Sequence, residues 1–124
     1  MAASGSFDEA AKGASGLAHV TTPVRASYNP NSGIPVVVKG TLNALEAAAK
    51  EFAIKRVVLT SSSTAAASPQ PSVEFSMDEN TWNEDSVKAG SAPPPYEVLQ
   101  RRLDVYSASK QPGSGLKSTI LIFS

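Results

Sequence analysis

Two short apolar runs along the chain have the length of buried strands. The first is Leu17–Val20, which follows a glycine, and the second is Arg56–Thr60, in which Val57, Val58 and Leu59 are adjacent. Neither run alternates apolar with polar positions, and continuous apolarity is typical of parallel strands covered on both faces. The pattern therefore predicts two neighbouring parallel strands.

Helical spacing of apolar residues marks the segments around these strands. It is clearest over Val36–Phe52, and it recurs more weakly over Tyr96–Lys110. The short segment Phe7–Lys12 is rich in Ala and Glu, and Asp8 and Glu9 lie where the first turn of a helix favours acids. Gly, Pro, Asn and Ser concentrate in residues 27–35 and 61–76, which we predict to be loops. The order strand, loop, helix, strand is a βαβ unit, and the predicted fold class is α/β. The apolar positions of the clearest helix are Val37, Val38, Leu42, Leu45, Ala48, Ala49 and Phe52.

Length and charge narrow the classes of function. The chain has 124 residues and no formal net charge, which predicts one domain and argues against nucleic-acid or membrane-surface binding. No apolar run approaches the roughly 20 residues that span a bilayer, and the N-terminus lacks the pattern of a signal peptide. With no Cys and one His, a structural metal site is not expected. We expect a cytoplasmic protein.

The pair Tyr106 and Lys110 carries the main chemical signal. Residues four apart share one face of a helix. A phenol with a pKa of about 10 is a poor acid at neutral pH, but a nearby ammonium stabilises the phenolate and lowers that pKa. Such a pair suits proton transfer to or from a carbonyl or alcohol oxygen.

A serine cluster supplies a hydroxyl that can hold the same oxygen. Ser61, Ser62 and Ser63 lie immediately after the second predicted strand. Ligands of open α/β sheets bind at the carboxyl ends of the strands. Either feature alone is weak, because a Tyr–Lys pair is usually an exposed helix face and a serine cluster is usually a loop.

Four stretches of the chain, in order and spacing, resemble the extended short-chain dehydrogenase/reductases. The branch they resemble holds the dihydroflavonol reductases and microbial aldehyde and ketone reductases. The stretches are FDEAAKGASGLAHVTTPV, VVVKGTLNALEAAAK, KRVVLTSSS, and DENTWNED followed by VYSASK. They span roughly residues 6–110. The resemblance predicts a nicotinamide cofactor, NADP or NAD, and a small carbonyl or alcohol substrate.

The resemblance also implies roles for individual residues. Ser62, Tyr106 and Lys110 match the catalytic serine, the acid/base tyrosine and the lysine that binds the nicotinamide ribose. Ser61 and Ser63 are near alternatives for the serine, because three serines in a row allow the match to shift by one position. The segment Val20, Thr21, Thr22 and Pro23 matches the strand end that lines the cofactor, together with Tyr106 and Lys110. The family usually has a small Ala where Thr21 stands.

The sequence departs from the family at both ends. It contains no GxGxxG or GxxGxxG turn, the motif that cradles the pyrophosphate. We therefore expect a single partial Rossmann-like domain over residues 1–124, with a parallel sheet and flanking helices but without the first strands and the glycine-rich turn. Pro112 breaks the last predicted helix, and residues 111–124 form a divergent tail with a strand-like run at 118–123.

Three functions remain open at this stage. The first is an NAD(P)-dependent oxidoreductase that reduces a ketone or aldehyde. The second is a catalytically inactive fragment or pseudoenzyme that forms a homodimer through the Val36–Phe52 helix. The third, an epimerase or dehydratase, would use the same Ser, Tyr and Lys. His19 is more simply explained as a structural residue than as a catalyst.

Overall fold

The two apolar runs form a parallel pair of strands, as predicted. In the computed structural model, which describes residues 3–20, 28–68, 70–78 and 80–111, β1 (Gly16–His19) pairs with β2 (Arg56–Leu59). Gly16 lies opposite Arg56, and His19 lies opposite Leu59. Because the strands are parallel, both carboxyl ends meet at one edge of the sheet.

The described part of the chain has five helices in addition to this sheet and is therefore α/β. The long helix α2 connects the two strands and packs against β1, α1 and α5, and α5 also packs against α3 and α4. The order β1–α2–β2 is the predicted βαβ unit. The helices are α1 (Asp8–Ala11), α2 (Pro30–Lys50), α3 (Ser63–Ala66), α4 (Glu84–Ser91) and α5 (Val98–Ser109).

Helix α2 begins six residues earlier than its apolar pattern indicates. The side chain of Asn29 caps it by accepting a hydrogen bond from the amide of Asn31 at 3.0 Å. Pro30 occupies the first turn, where its missing N–H costs nothing. The loop prediction for residues 27–35 was therefore wrong from Pro30 onward, because Asn and Pro serve here as a helix start.

Two short helices lie in segments without a helical prediction. Ser62 caps α3, within the predicted loop 61–76. Asn83 caps α4, accepting a hydrogen bond from the amide of Ser86 at 3.1 Å. Glu84 and Asp85 occupy the first turn of α4, where the helix dipole favours negative charge.

The core is built mainly from small side chains. Helix α4 crosses α5 at Gly90, where an added Cβ would lie 3.4 Å from the backbone of Asp104. Small residues let helix backbones approach closely, so little volume is left for large side chains. The buried apolar residues are Ala11, Ala44, Ala47, Ala48, Leu59, Ala65, Ala66, Val105 and Ala108.

Several apolar positions that the pattern assigns to the core face solvent. Phe52 lies beyond the end of α2 and is 90% exposed. On α5, Leu99 and Leu103 are exposed, whereas Arg101 and Asp104 are buried. The inward face of α5 is thus largely polar, and its apolar face is uncovered.

No helix in the described ranges is both long enough and apolar enough to cross a membrane. The predicted break at Pro112 and the strand-like run at 118–123 lie outside the described residues.

Candidate active site

The end of β2 and the end of α5 meet at the carboxyl edge of the sheet. The strand hydrogen bonds continue one step past β2, because the amide of Thr60 donates to the carbonyl of His19 at 3.0 Å. Lys110, the C-cap of α5, reaches this edge with its ammonium and its carbonyl. The parallel sheet and α5 together therefore position the candidate site.

Lys110 is the centre of this arrangement. Its Nζ donates to the carbonyl oxygen of Thr60 at 3.2 Å and lies 5.9 Å from the centroid of the Tyr106 ring. Burial lowers the pKa of Lys110 below its ordinary value, because desolvation disfavours the ammonium. The predicted pair is thus brought together on one face of the helix.

Tyr106 is partly exposed on the face of α5 that carries Leu99 and Leu103. Ser109 fixes the last turn of the helix below it, donating its hydroxyl to the carbonyl of Tyr106 at 2.6 Å. The phenol is therefore accessible to a ligand while the Lys110 ammonium lies 5.9 Å from its ring centroid.

The structure places the three serines in different environments. Ser61 donates its hydroxyl to the carbonyl of Lys110 at 3.2 Å and so ties β2 to α5. The hydroxyl of Ser62 accepts from the amide of Thr64 at 3.4 Å and lies 3.0 Å from the Thr64 hydroxyl. Ser63 is exposed. The catalytic role of Ser62 stays a prediction, and in this geometry its hydroxyl also caps α3.

His19 lies at the same edge, at the end of β1. Burial lowers its pKa, a hydrogen bond with its own backbone opposes this, and the nearby charge of Lys110 lowers the pKa further. Its Nε2 is buried and has no hydrogen-bond partner among the described residues. Burial and the charge of Lys110 thus both disfavour the protonated form of His19 at this edge of the sheet.

The predicted cofactor-lining segment is only partly described. Val20 follows β1 directly and is 67% exposed at the carboxyl edge. Thr21, Thr22 and Pro23 lie outside the described residues. Their role stays a prediction, as does that of Val20.

Comparison with known proteins decides the family. No protein-family model matches the chain. Aldehyde reductase 2 of Sporidiobolus salmonicolor is 41% identical over 111 residues, which are 89% of this chain and 32% of that protein. The NAD-dependent epimerase/dehydratase terH of Aspergillus terreus is 41% identical over 108 residues, 87% of this chain and 32% of that protein. Dihydroflavonol 4-reductase of Solanum lycopersicum is 38% identical over 86 residues, 68% of this chain and 22% of that protein.

The chain belongs to the extended short-chain dehydrogenase/reductase family. It falls in the branch of aldehyde, ketone and dihydroflavonol reductases, as its sequence predicted. The chain spans about a third of the length of the first curated relatives it matches.

The residues present fit the nicotinamide end of a dehydrogenase/reductase cofactor. Tyr106 offers a partly exposed phenol, and Lys110 offers an ammonium beside the carboxyl ends of the strands. The glycine-rich turn that holds the pyrophosphate elsewhere in the family is absent from this sequence. The assignment of these two residues to the nicotinamide ribose stays a prediction, and the given sequence contains no such turn for the pyrophosphate.

Two features of the site in this family member are not apparent from its sequence. The carbonyl oxygen of Thr60 accepts a hydrogen bond from the ammonium of Lys110. The pattern of side chains cannot predict such a bond, because the acceptor belongs to the backbone. Asn83 joins α3 to α4, donating to the carbonyl of Thr64 and to the hydroxyl of Ser68, each at 2.8 Å. An Asn directly before two acids was the available signal for such a helix start.

Proposed function

We propose that this chain carries the proton-transfer half of an NAD(P)-dependent oxidoreductase site that reduces a ketone or aldehyde. The observation that carries the proposal is the position of Lys110, whose half-buried ammonium lies 3.2 Å from the carbonyl of Thr60 and 5.9 Å from the Tyr106 ring. The relatives named as aldehyde reductase and dihydroflavonol reductase support this direction of the reaction.

Tyr106, Lys110 and Ser62 would each have a separate role in the reaction. Bound NAD(P)H would supply the hydride that reaches the carbonyl carbon. The Tyr106 hydroxyl would give its proton to the carbonyl oxygen as that oxygen becomes an alcohol, and Lys110 would stabilise the phenolate left behind. Ser62 would donate a hydrogen bond to the same oxygen, releasing its contact with Thr64.

A turnover assay with matched tyrosine variants tests this function. The chain is mixed with NADPH or NADH and a set of aldehydes and aryl ketones, and nicotinamide absorbance is followed. We expect Tyr106→Phe to reduce turnover roughly 10²–10⁴-fold, the usual contribution of a general acid.

The control for this assay is Tyr96→Phe, which keeps the ring that lies under Arg101. We expect it to leave turnover unchanged. Equal turnover by the wild-type chain and Tyr106→Phe, or no turnover with either cofactor, would contradict the proposal.

A second candidate is a dimer-forming member of the family without turnover. It is favoured by uncovered apolar side chains on two helices that pack together, with Val36 and Leu42 on α2 and Leu99 and Leu103 on α5. The proposed occupant of this surface is a second copy of the chain, contacting α2 as the sequence predicts and α5 as well. Sedimentation should then show a dimer that Leu42→Glu and Leu99→Glu weaken and that Phe75→Glu, at an exposed position outside both helices, does not.

A further inference from the structure

Residues 73–77, in the segment between α3 and α4, alternate apolar with polar side chains. Val73, Phe75 and Met77 are 53%, 48% and 50% exposed, and Glu74 and Ser76 lie between them. A period of two is typical of a strand with one covered face. The described sheet, however, consists of β1 and β2, and these five residues belong to no helix. Within the described chain, the apolar row therefore lacks a neighbouring strand.

The backbone of this segment is also open to pairing. The amide of Val73 donates to the carbonyl of Gln70 at 3.2 Å, and the amide of Asp78 donates to the hydroxyl of Thr81 at 2.9 Å. Between these two bonds, the amides and carbonyls of residues 74–77 form no hydrogen bond with any described residue. A row of apolar side chains beside a row of unpaired backbone groups is the arrangement to which a further strand adds.

The rest of the chain, which lies outside the described residues, leaves the fold near this segment. Gln111 is 6% exposed, and its side-chain amide donates to the carbonyl of Asn83 at 2.6 Å. Asn83 comes two residues after Thr81, whose amide donates to the carbonyl of Asp78 at 3.1 Å and closes a turn with ends within about 7 Å. The seven steps from Gln111 to Ser118 span up to about 25 Å, so the residues that follow can reach the Asp78 end of the segment.

A run suited to strand pairing lies in this part of the chain. Residues 118–123 read STILIF, and β-branched and aromatic side chains favour strands. A run that enters at Asp78 and continues toward Val73 is antiparallel to the segment. The charges agree with this direction, because Lys117 directly precedes the run and would lie at the same end as the carboxylate of Asp78.

We propose that residues 118–123 pair with residues 73–77 of the same chain as an antiparallel strand that covers Val73, Phe75 and Met77. The occupant is a segment of the same chain rather than of a second copy, because a short tether gives the run an effective concentration in the millimolar range. The pairing goes beyond the proposed function, since it requires no bound nicotinamide.

Amide hydrogen exchange of the intact chain, followed residue by residue by NMR, tests the pairing. An antiparallel partner binds every second residue of an edge, so we expect alternate amides of residues 74–77 to exchange at least roughly tenfold more slowly than in a synthetic peptide of the same sequence. Leu121→Pro removes a backbone donor from the run and should return these amides to the rate of the peptide. Ser114→Pro, the same change before the run, is the matched control and should keep the protection.

The α2 amides in the same spectra report whether Leu121→Pro is folded. If it is not, Phe75→Asp changes the other partner and should speed exchange in residues 118–123, whereas Ser76→Asp, on the opposite face, should not. Protection should be the same over a roughly hundredfold range of protein concentration, because pairing within one chain is independent of mass action. Protection that rises with concentration would assign the surface to a second copy and overturn the proposal. Unprotected amides in the wild type, or unchanged protection in a folded variant of either partner, would also overturn it.

Discussion

At the scale of single residues, His19 and Lys110 are two basic side chains that share one edge of the sheet. Burial lowers the pKa of each, and the charge of Lys110 lowers the pKa of His19 further. The sequence identified Lys110 through its spacing from Tyr106. It gave no sign that the charge of Lys110 acts on His19, because their proximity depends on how β1, β2 and the end of α5 pack together.

His19 should make the chain less stable in mild acid. Its pKa is lower in the folded chain than in the unfolded chain, where it is about 6.5. Between the two values the unfolded chain binds more protons, so the free energy of unfolding falls as the pH drops through 6.5 toward the folded value. Urea unfolding at pH 7.5 and pH 5.5 measures this fall, and His19→Leu should remove it.

The chain has one histidine, so the acid effect in this range has a single source. Glu51 and Glu97 also have lowered pKa values, but backbone hydrogen bonds hold them below the ordinary glutamate value, outside this range. The same loss of stability in wild type and His19→Leu would show that another group titrates.

At the scale of elements, apolar runs and helical spacing predicted both strands and the two longest helices, α2 and α5. The two strands and α5 lie close to their predicted bounds. For α5, the predicted range was Tyr96–Lys110 and the observed helix is Val98–Ser109. The two short helices α3 and α4 were missed, because they are rich in Ser, Ala and Gly and bury few large side chains. Their positions depend on capping and on contacts with α5 rather than on periodicity.

Asn83 is the residue on which this short-helix region depends most. It is 6% exposed, caps α4 and donates two side-chain hydrogen bonds to the α3 region. Loss of the cap and of both bonds in Asn83→Ala should lower the free energy of unfolding by about 2–3 kcal/mol. Chemical denaturation measures the change.

Asn80→Ala is the control for this substitution, because Asn80 is exposed and its side chain caps no helix. It should alter stability by no more than about 0.5 kcal/mol. Equal effects of the two substitutions would mean that the contacts of Asn83 do not hold α3 and α4 together.

At the scale of the whole molecule, the described part of the chain is an α/β unit with a small core. Its sheet has two strands in the described ranges, its buried apolar residues are mainly alanines, and the apolar face of α5 is open. Family and fold class were predictable from the spaced motifs. The exposure of Leu99 and Leu103 was not, because helical spacing does not say which face a neighbour covers.

The central claim is that Lys110 and its neighbours form a nicotinamide site in this chain. Titration of the purified chain with NADPH and NADH, followed by nicotinamide fluorescence, tests it most directly, with Lys110→Met as the site variant. Lys39→Met, at an exposed position of α2, is the control. We predict saturable micromolar binding by wild type and Lys39→Met, and at least roughly tenfold weaker binding by Lys110→Met, because a charged hydrogen bond is lost. Absence of binding by a folded wild-type chain, or equal binding by Lys110→Met, would contradict the claim.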